Sequence, residues 1–286
     1  MPSHLIPEFK YGKLQPGPDE ARDGRLTSSI MSDDKHQSCH CPISTLGEKL
    51  SFLRRAASFE ATTPWLKEDR FAREAVAMVA CRRSIGAVLD VGGGTGALAR
   101  RFIGRESVTR VVVLDPSLDM LKLVPAGIER WPLVVEACPD TRAFDTVLAR
   151  QVLHYLPDLT VALQVMRRQL RPGAVTYVGQ MISSTRASAQ WLQGVAETIS
   201  CNRRRIFTWI SLVTAMTSAG YRLREARTHP YRESLRSWIA RVGSAHDVSE
   251  LVAAARAAMT PGVAKALDAR GNDLEIQSFW VNALFD

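Results

Sequence analysis

Residues 88–96, which read VLDVGGGTG, constrain the fold of this chain more than any other segment. The apolar run at 87–91 is typical of a buried parallel strand, and the glycines that follow let the backbone turn tightly and approach a ligand closely. After this turn we predict a helix over 95–103, whose N-terminal N–H groups would face the ligand. The segment thus predicts a strand, a glycine-rich turn and a helix, an arrangement suited to ligand binding.

Strands and helices alternate from this segment to about residue 180. Short apolar runs predict strands at 87–91, 110–114, 133–135, 146–148 and 175–179. Further helices are predicted at 117–123 and 159–170. Because the strands are apolar on both faces, they indicate a parallel sheet covered by helices on both sides. Right-handed crossovers then give a doubly wound α/β fold.

The segments on either side of this core have a different character. Residues 1–42 are rich in Pro, Gly, Ser, Asp and Lys, and we interpret them as a disordered leader. Helical patterns at 46–57 and 65–81 predict an N-terminal helical cap over 43–84, followed by the α/β core over 85–183. Residues 184–286 complete the sheet and carry a helical lobe. Their predicted elements are a helix at 209–219, a strand at 221–226, helical segments through 235–267 and a final strand at 274–285.

Composition limits the compartment and the partners. No apolar run approaches the roughly eighteen residues that span a bilayer, and the N-terminus lacks the apolar core of a secretory signal. Five irregularly spaced cysteines favour a reducing compartment, and we expect a cytoplasmic protein. The net charge is +8 and arginines crowd residues 201–241, which suits either a nucleic acid or an ordinary solvated surface. Cys39-His40-Cys41 has no second ligand pair at zinc-site spacing, so we expect no metal site.

Two carboxylates bear on the class of ligand that the glycine-rich turn binds. The turn also fits the weak dinucleotide pattern G-x-G-x-x-[GA], which leaves a nicotinamide cofactor open. Asp90 lies two residues before the first glycine, where an acid suits a ligand that carries an ammonium and a sulfonium better than a pyrophosphate. Asp115 ends the next strand and can accept hydrogen bonds from both ribose hydroxyls, which either cofactor requires.

Four segments in this order resemble the class I methyltransferases, especially those of ubiquinone and menaquinone biosynthesis and their natural-product relatives. The segments are VLDVGGGTG, LDPSLDML, FDTVLARQVLHYLPD and LRPGAVTYVG, between about residues 88 and 179. The resemblance implies a Rossmann-like methyltransferase fold with seven strands, mostly parallel, N-terminal helices and a helical insert before the last strand. It also implies the cofactor S-adenosylmethionine, the product S-adenosylhomocysteine and no metal.

The resemblance implies roles for the matched positions. Asp90 and the loop glycines would flank the methionine part of the cofactor, and Asp115 would hold the ribose diol. Arg150 and Gln151, at the end of the fourth strand, would lie beside the methionine and the sulfonium. The loop glycines are Gly92, Gly93, Gly94 and Gly96, and the residues expected near the adenine are Pro116, Ser117 and Met120. Core packing is an equal alternative for Met120.

The sequence departs from the family pattern after the third strand. Relatives usually carry Asp-Ala there, whereas this chain has Glu136 and Ala137 followed by a short route to Asp145. Glu136 is a candidate acceptor for the adenine amino group, and Asp140 or backbone groups are alternatives.

His154 is the candidate general base, because it follows the fourth strand where ligands bind in open α/β sheets. The alternative is that His154 caps or packs the following turn. Tyr155 is a candidate wall residue. The tryptophans at 65, 191, 209 and 238 are further candidate walls for a flat ligand.

We expect methyl transfer to a small organic acceptor in secondary-metabolite or quinone-type biosynthesis. A nucleic-acid methyltransferase is the nearest alternative, but residues 149–152 lack the Asn/Asp-Pro-Pro-aromatic turn of enzymes that methylate base amines. A nicotinamide oxidoreductase is a further alternative, as is a family member that is a scaffold or catalyses a non-methyl reaction. The helical lobe is a candidate homodimer face.

Overall fold

The fold is built around one mixed sheet. The computed structural model describes residues 56–81, 84–199, 204–242 and 247–286. These residues belong to one structural unit, Ile43–Asp286. Seven strands follow one another in the order β3-β2-β1-β4-β5-β8-β7, and a two-residue strand, β6, pairs with β5. The strands are β1 (Gly86–Val91), β2 (Val108–Leu114), β3 (Glu129–Trp131), β4 (Phe144–Arg150), β5 (Leu170–Ser183), β6 (Phe207–Thr208), β7 (Leu223–Ser234) and β8 (Glu275–Phe285).

The strand order places the ligand-binding edge of the sheet. Strands β1 to β6 run parallel, whereas β8 runs antiparallel to both of its neighbours, β5 and β7. The chain order reverses between β1 and β4, because β2 and β3 lie on one side of β1 while β4 and β5 lie on the other. Open α/β sheets bind ligands beside the carboxyl ends of the strands at such a reversal.

Helices cover both faces of the sheet. Alternate residues of β1 point to opposite faces, so Leu89 packs with the helices that follow β4 and β6, whereas Val88 packs with the N-terminal helix Asp69–Ala80. The helices are α1 (Phe59–Thr62), α2 (Pro64–Lys67), α3 (Asp69–Ala80), α4 (Leu118–Lys122), α5 (Leu159–Arg168), α6 (Arg186–Ile199), α7 (Trp209–Ser218), α8 (Leu235–Val242), α9 (Val248–Ala257) and α10 (Pro261–Ala266).

A separate apolar cluster forms the helical lobe. The helices α6, α8, α9 and α10 pack together through buried residues that include Leu192, Leu235 and Trp238. Because three of these helices lie between β7 and β8, the predicted helical insert before the last strand is confirmed. The lobe packs against β5, β7 and β8.

Side-chain caps define where several helices begin. The Asp158 carboxylate accepts a hydrogen bond from the Val161 N–H (3.0 Å) at the start of α5. Ser117 caps α4 by accepting from the Met120 N–H, as its position in the sequence predicts. Such caps satisfy N–H groups that have no partner within the helix.

Two sequence predictions near the site are wrong. In place of the helix over 95–103, the chain forms turns and a short 3-10 helix, Ala99–Arg101. The cause is local, because Gly96, inside the predicted helix, adopts a positive φ of 75°, which a right-handed helix does not contain. The predicted strand at 133–135 also does not form, since the third strand is Glu129–Trp131 and Val135–Ala137 is a 3-10 helix.

The remaining elements match the sequence predictions in type and differ in extent. Both β5 and β7 continue well beyond their predicted ends, and β6 was not predicted. The leader over 1–42, the Cys39–Cys41 motif and most of the helix predicted over 46–57 lie outside the described residues.

A buried polar network joins α3 to the antiparallel half of the sheet. The Asn282 side-chain oxygen accepts hydrogen bonds from the Tyr177 hydroxyl (2.6 Å) and the Trp280 indole N–H (2.6 Å). The Asn282 amide group donates to Glu74, which also bonds His229 (2.6 Å). The pKa of Glu74 is lowered, because hydrogen bonds from Asn282 and His229 outweigh the effect of its burial. One asparagine therefore satisfies two buried donors and also bonds the partly buried Glu74.

We predict that Asn282→Ala destabilises the protein by about 2 kcal/mol or more, because the buried Tyr177 hydroxyl and Trp280 N–H lose their Asn282 acceptor and each unsatisfied group costs roughly 1–3 kcal/mol. The measurement is the free energy of unfolding in denaturant. Asn272→Ala is the control, since Asn272 is exposed and its loss should change stability by less than about 0.5 kcal/mol. Equal stability of the two variants would contradict the account of the network.

Candidate functional site

The candidate site lies at the carboxyl edge of the sheet, where β1, β2 and β4 end side by side. Val91 of β1 is level with Leu114 of β2 and with Ala149 of β4. The residues that immediately follow these strands are the glycine loop, Asp115 and Gln151, so the fold brings together three segments that are far apart in sequence. This edge is also the point where the strand order reverses.

The glycine loop leaves open space above Gly94. Among the described residues, a side chain at Gly94 would meet no atom within 4 Å, although the residue is only partly exposed. A side chain at Gly92 would collide with Val152, and one at Gly93 would come within 2.8 Å of the Asp90 carboxylate. The loop therefore packs against the protein at Gly92 and Gly93 and faces open space at Gly94, as expected for a loop that binds a ligand.

The Asp90 carboxylate is buried with an incomplete set of partners. Asp90 is 1% exposed, and among the described residues its Oδ2 atom has no hydrogen-bond partner. Burial raises the pKa of Asp90 to about 7, against the opposing effects of Arg150 and of the hydrogen bond from the Ala99 N–H. A buried acid that is only partly compensated attracts a cation and is a recognised mark of a functional site.

Asp115 lies directly after β2 and beside the glycine loop. Its carboxylate accepts hydrogen bonds from the Gly94 N–H (2.9 Å) and the Ser117 N–H (2.8 Å), which fix its position. Burial raises the pKa of Asp115, and these two hydrogen bonds oppose the rise. Each carboxylate oxygen retains a second acceptor site, so Asp115 can also accept two hydroxyl hydrogen bonds from a ligand.

Arg150 connects this edge to the N-terminal helices. Its guanidinium lies 5.1 Å from the centre of the Trp65 ring, a cation–π distance. Burial lowers the pKa of Arg150, while the charges of nearby Tyr177 and Asp90 oppose the change. Arg150 thus supplies a positive charge close to Asp90, and Trp65 of α2 covers it.

Gln151 joins the edge to a pocket. The residue is 8% exposed and has a positive φ of 54°, which is uncommon for a residue other than glycine. Its backbone N–H donates to the Gly179 carbonyl (2.8 Å), whereas its side-chain Nε2 has no partner among the described residues. Gln151 lines the pocket together with Trp65, Met181, Ile182, Leu192, Ile206, Tyr231, Glu233, Trp238, Arg241, Ile276 and Ser278.

Glu60 holds the N-terminal helices against the glycine loop. Its carboxylate accepts hydrogen bonds from the Thr95 hydroxyl (2.6 Å) and from both terminal nitrogens of Arg100 (2.9 and 2.8 Å). The pKa of Glu60 is lowered, chiefly by Arg100. This contact fixes the Thr95 end of the loop.

The residues predicted near the adenine lie around the end of β2. Pro116 is exposed, Ser117 is partly buried and Met120 is buried with 2% of its surface exposed. Glu136 and Ala137 are exposed on the 3-10 helix Val135–Ala137, beyond the end of β3. The structure places both at the carboxyl edge, two strands away from β1.

His154 is more deeply buried than its predicted position at a ligand-binding mouth requires. It is 2% exposed, its Nδ1 lies 3.1 Å from the amide nitrogen of Gln180, and its ring contacts Tyr155 with centroids 4.1 Å apart. It is not one of the residues that line the pocket. Its role as a general base stays a prediction, and its contacts agree with the packing alternative.

Two further observations bear on the class of site. Within the described residues, no three His, Cys, Asp or Glu side chains come together as a metal site would require. No helix in the described ranges has the length and apolar character needed to cross a membrane.

The polar groups at the carboxyl edge fit a nucleoside cofactor with a positively charged tail. Asp115 offers acceptors for a ribose diol, the space above Gly94 admits a ligand close to the backbone, and Asp90 offers an unpaired negative oxygen. A pyrophosphate would lie beside two buried carboxylates and be repelled. The geometry therefore favours a sulfonium cofactor over a dinucleotide.

Comparison with known proteins identifies the family. The model of a methyltransferase domain matches residues 65–226, which is more than half of the chain. The chain therefore belongs to the class I S-adenosylmethionine-dependent methyltransferases. The match contains the glycine loop, Asp115 and the end of β4.

Curated relatives match between 31% and 39% of this chain. The chain is similar to a tRNA U34 carboxymethyltransferase of Pseudoalteromonas atlantica, with 37% identity over 34% of this chain and 31% of that protein. It is also similar to the polyketide synthase component of lovastatin nonaketide synthase of Aspergillus terreus, with 32% identity over 39% of this chain and 4% of the synthase. A trans-aconitate 2-methyltransferase of an Azoarcus species is 33% identical over 31% of this chain and 36% of that protein. The chain thus spans about a third or less of each relative.

Solved structures agree on the fold. A protein from Bacillus halodurans assigned to the methyltransferases superimposes with a TM-score of 0.67 at 16% identity, covering 75% of this chain and 97% of that one. The YcgJ protein from Bacillus subtilis gives a TM-score of 0.62 at 15% identity and covers 76% of this chain and 97% of that one. At these identities the likeness concerns the fold alone.

The polar residues that line the pocket on β7 and β8 were not predicted from the sequence. Tyr231 and Glu233 lie on β7, and both face the same side of the sheet as Ser278 and Ile276 of β8. Inward-facing positions of β7 are polar, so the strand lacks the apolar alternation that reveals a half-buried strand. Of the four tryptophans proposed as walls, Trp65 and Trp238 line the pocket, whereas Trp191 donates its N–H to the Ala255 carbonyl.

Proposed function

We propose that this protein transfers a methyl group from S-adenosylmethionine to a small organic acceptor. The cofactor supplies an electrophilic methyl group on a sulfonium, and the reaction leaves S-adenosylhomocysteine, the methylated acceptor and a proton. The residues of this chain have to bind and orient the two partners and keep water away, which can account for about 7–11 kcal/mol of barrier lowering in favourable cases.

One observation carries the proposal. The glycine loop has open space above Gly94 and lies next to the carboxylates of Asp90 and Asp115, and one Asp90 oxygen has no hydrogen-bond partner among the described residues. Leaving the Asp90 oxygen unsatisfied is costly in the free protein, and a bound cation would compensate it. The family match supports the identity of that cation, since it covers this loop.

The roles follow from position. Asp90 would attract the charged methionine part of the cofactor, and Asp115, held by Gly94 and Ser117, would orient the ribose. The Arg150 guanidinium under Trp65 would balance Asp90 and can receive a carboxylate. Gln151 would separate the cofactor from the acceptor pocket, because it directly follows β4 and also lines the pocket.

A nucleic-acid acceptor is the second candidate. The net charge of +8 and the similarity to tRNA carboxymethyltransferases favour it. That similarity covers about a third of the chain, whereas most of the residues lining the pocket are apolar. An enclosed apolar pocket suits a small molecule better than a phosphate-bearing chain.

The setting that we propose is the cytoplasm, in the biosynthesis of a secondary metabolite or a quinone. The similarity to a polyketide synthase component and to a trans-aconitate methyltransferase supports small-molecule chemistry. Formation of S-adenosylhomocysteine in the presence of an acceptor separates methyl transfer from a scaffold role. The helical lobe remains our proposed homodimer face.

We predict that Gly94→Ala abolishes measurable binding of S-adenosylmethionine, because its Cβ would enter the space that the cofactor needs. Gly104→Ala is the matched control, since both glycines have positive φ (57° and 73°) and both Cβ atoms would meet open space. Each substitution should cost roughly 1–2 kcal/mol of stability through backbone strain. Calorimetric titration of both folded variants measures the effect. Equal binding by the two would count against the site.

We predict that S-adenosylhomocysteine binding weakens about tenfold for each pH unit below 7. The pKa of Asp90 is raised to about 7 in the free protein, and the ammonium of the ligand favours the ionised carboxylate, so binding at lower pH has to release a proton. The dissociation constant should level off as the pH rises above 7. Titrations between pH 5.5 and 7.5 measure the slope.

Asp90→Asn is the control for this prediction. It should bind more weakly at neutral pH and lose the slope, because an amide does not titrate in this range. A slope that persists in the variant, or a wild-type dissociation constant independent of pH, would show that Asp90 does not carry the linkage.

A further inference from the structure

The pocket beside Gln151 has an apolar body and a polar end. Trp65, Leu192 and Trp238 come from three helices and surround it together with apolar residues of β5 and β8. Polar groups meet at one side, where Tyr231 and Glu233 of β7 face Arg241 of α8. A ligand for this pocket is therefore mostly apolar and carries a small number of polar atoms.

Two of the polar groups are buried and lack a partner. Tyr231 is 5% exposed, and its hydroxyl has no hydrogen bond among the described residues. The side-chain Nε2 of Gln151, which is 8% exposed, has none either. Buried polar groups in native proteins are nearly always satisfied, so two such groups on one pocket indicate a missing ligand atom. Both groups can donate, so each would bind a hydrogen-bond acceptor on the ligand.

The charge of the pocket is already balanced. Arg241 Nη1 lies 2.5 Å from Glu233 Oε1, and the two side chains are 11% and 14% exposed. A carboxylate on the ligand would lie next to Glu233 and bring an uncompensated buried charge, which is costly. A neutral oxygen avoids this cost and still satisfies the donors. The remaining N–H groups of Arg241 can donate to the same oxygen.

We propose that the acceptor molecule is a small, mostly apolar compound with a neutral carbonyl oxygen, which Tyr231 and Gln151 bind at the polar end of this pocket. The proposal rests on the proposed function for the nature of the reaction, since it specifies the acceptor of that same site. It concerns recognition of the acceptor and does not assign the atom that is methylated.

The experiment compares three probes of similar size by ligand-observed NMR titration, each with and without S-adenosylhomocysteine. Acetophenone carries a neutral carbonyl, ethylbenzene lacks the oxygen, and benzoate carries a charged carboxylate. We expect acetophenone to bind at least about tenfold more tightly than either of the others, the change that one hydrogen bond to a buried group produces.

Tyr231→Phe tests the contact directly. The variant should lose most of the tenfold preference for acetophenone over ethylbenzene. Because the hydroxyl has no partner in the free protein, its removal should also raise the melting temperature by about 2–4 °C.

Tyr221→Phe is the matched control. Tyr221 is 3% exposed, and its hydroxyl donates to the Leu163 carbonyl (3.1 Å), away from the pocket. This variant should have a lower melting temperature and unchanged probe binding. Opposite shifts in the two melting temperatures would separate a ligand-binding hydroxyl from a structural one.

The outcomes separate this proposal from the proposed function. Binding of acetophenone by a protein that does not bind S-adenosylhomocysteine supports the pocket and overturns methyl transfer. Binding of S-adenosylhomocysteine without a preference for acetophenone overturns the carbonyl proposal alone, as does an unchanged preference in Tyr231→Phe. Binding of unfractionated tRNA by a protein that ignores all three probes overturns it in favour of a nucleic-acid acceptor.

Discussion

Removing the carboxylate of Asp90 from water costs free energy, and the surrounding structure offsets only part of that cost. The Ala99 N–H donates to the carboxylate, and Arg150 supplies a nearby positive charge, yet the pKa remains raised to about 7. The glycine loop folds directly against this carboxylate, since a Cβ at Gly93 would collide with it. In the free protein the negative charge of Asp90 is therefore only partly compensated at the place where a cationic cofactor would bind. A bound cation would stabilise this charge, and that stabilisation would contribute to the binding free energy.

Arg150, which lies near the Asp90 carboxylate, is linked through aromatic contacts to the antiparallel strand β8. Arg150 lies under Trp65, and the Trp65 ring lies 5.6 Å from that of Trp280, which donates its N–H to Asn282. Trp280 also stacks on Phe71 with ring centroids 4.5 Å apart. A series of packed aromatic rings thus connects the buried polar network to Arg150 at the end of β4.

The parallel core could be predicted from the sequence because its signals are local. The apolar runs at β1, β2 and β4 and the acids at 90 and 115 identify the strands and the edge at which they meet. The helix expected after the glycine loop was wrong because Gly96, near its predicted start, has a positive φ and the chain there forms a series of turns. The third strand was misplaced because Glu129–Trp131 is short and mostly exposed, so it carries no apolar run.

The acceptor pocket could not be predicted in the same way. It joins Gln151 to residues of α2, α6, α8 and the antiparallel strands, which are distant in sequence and meet only through the tertiary fold. Tyr231 and Glu233 are separated by one residue in a strand of mixed polarity, and no sequence pattern marks them as buried. Trp65 and Trp238 could be proposed as walls from residue type alone, but their selection over Trp191 needed the structure.

A crystal structure of the protein with S-adenosylhomocysteine would show where the cofactor binds. We expect the ribose hydroxyls to bond the Asp115 carboxylate, the ligand to lie over Gly94, and its ammonium to lie on the side of Asp90. A ligand bound elsewhere, or one that leaves Asp90 and Asp115 without contact, would show that this edge of the sheet is not the cofactor site.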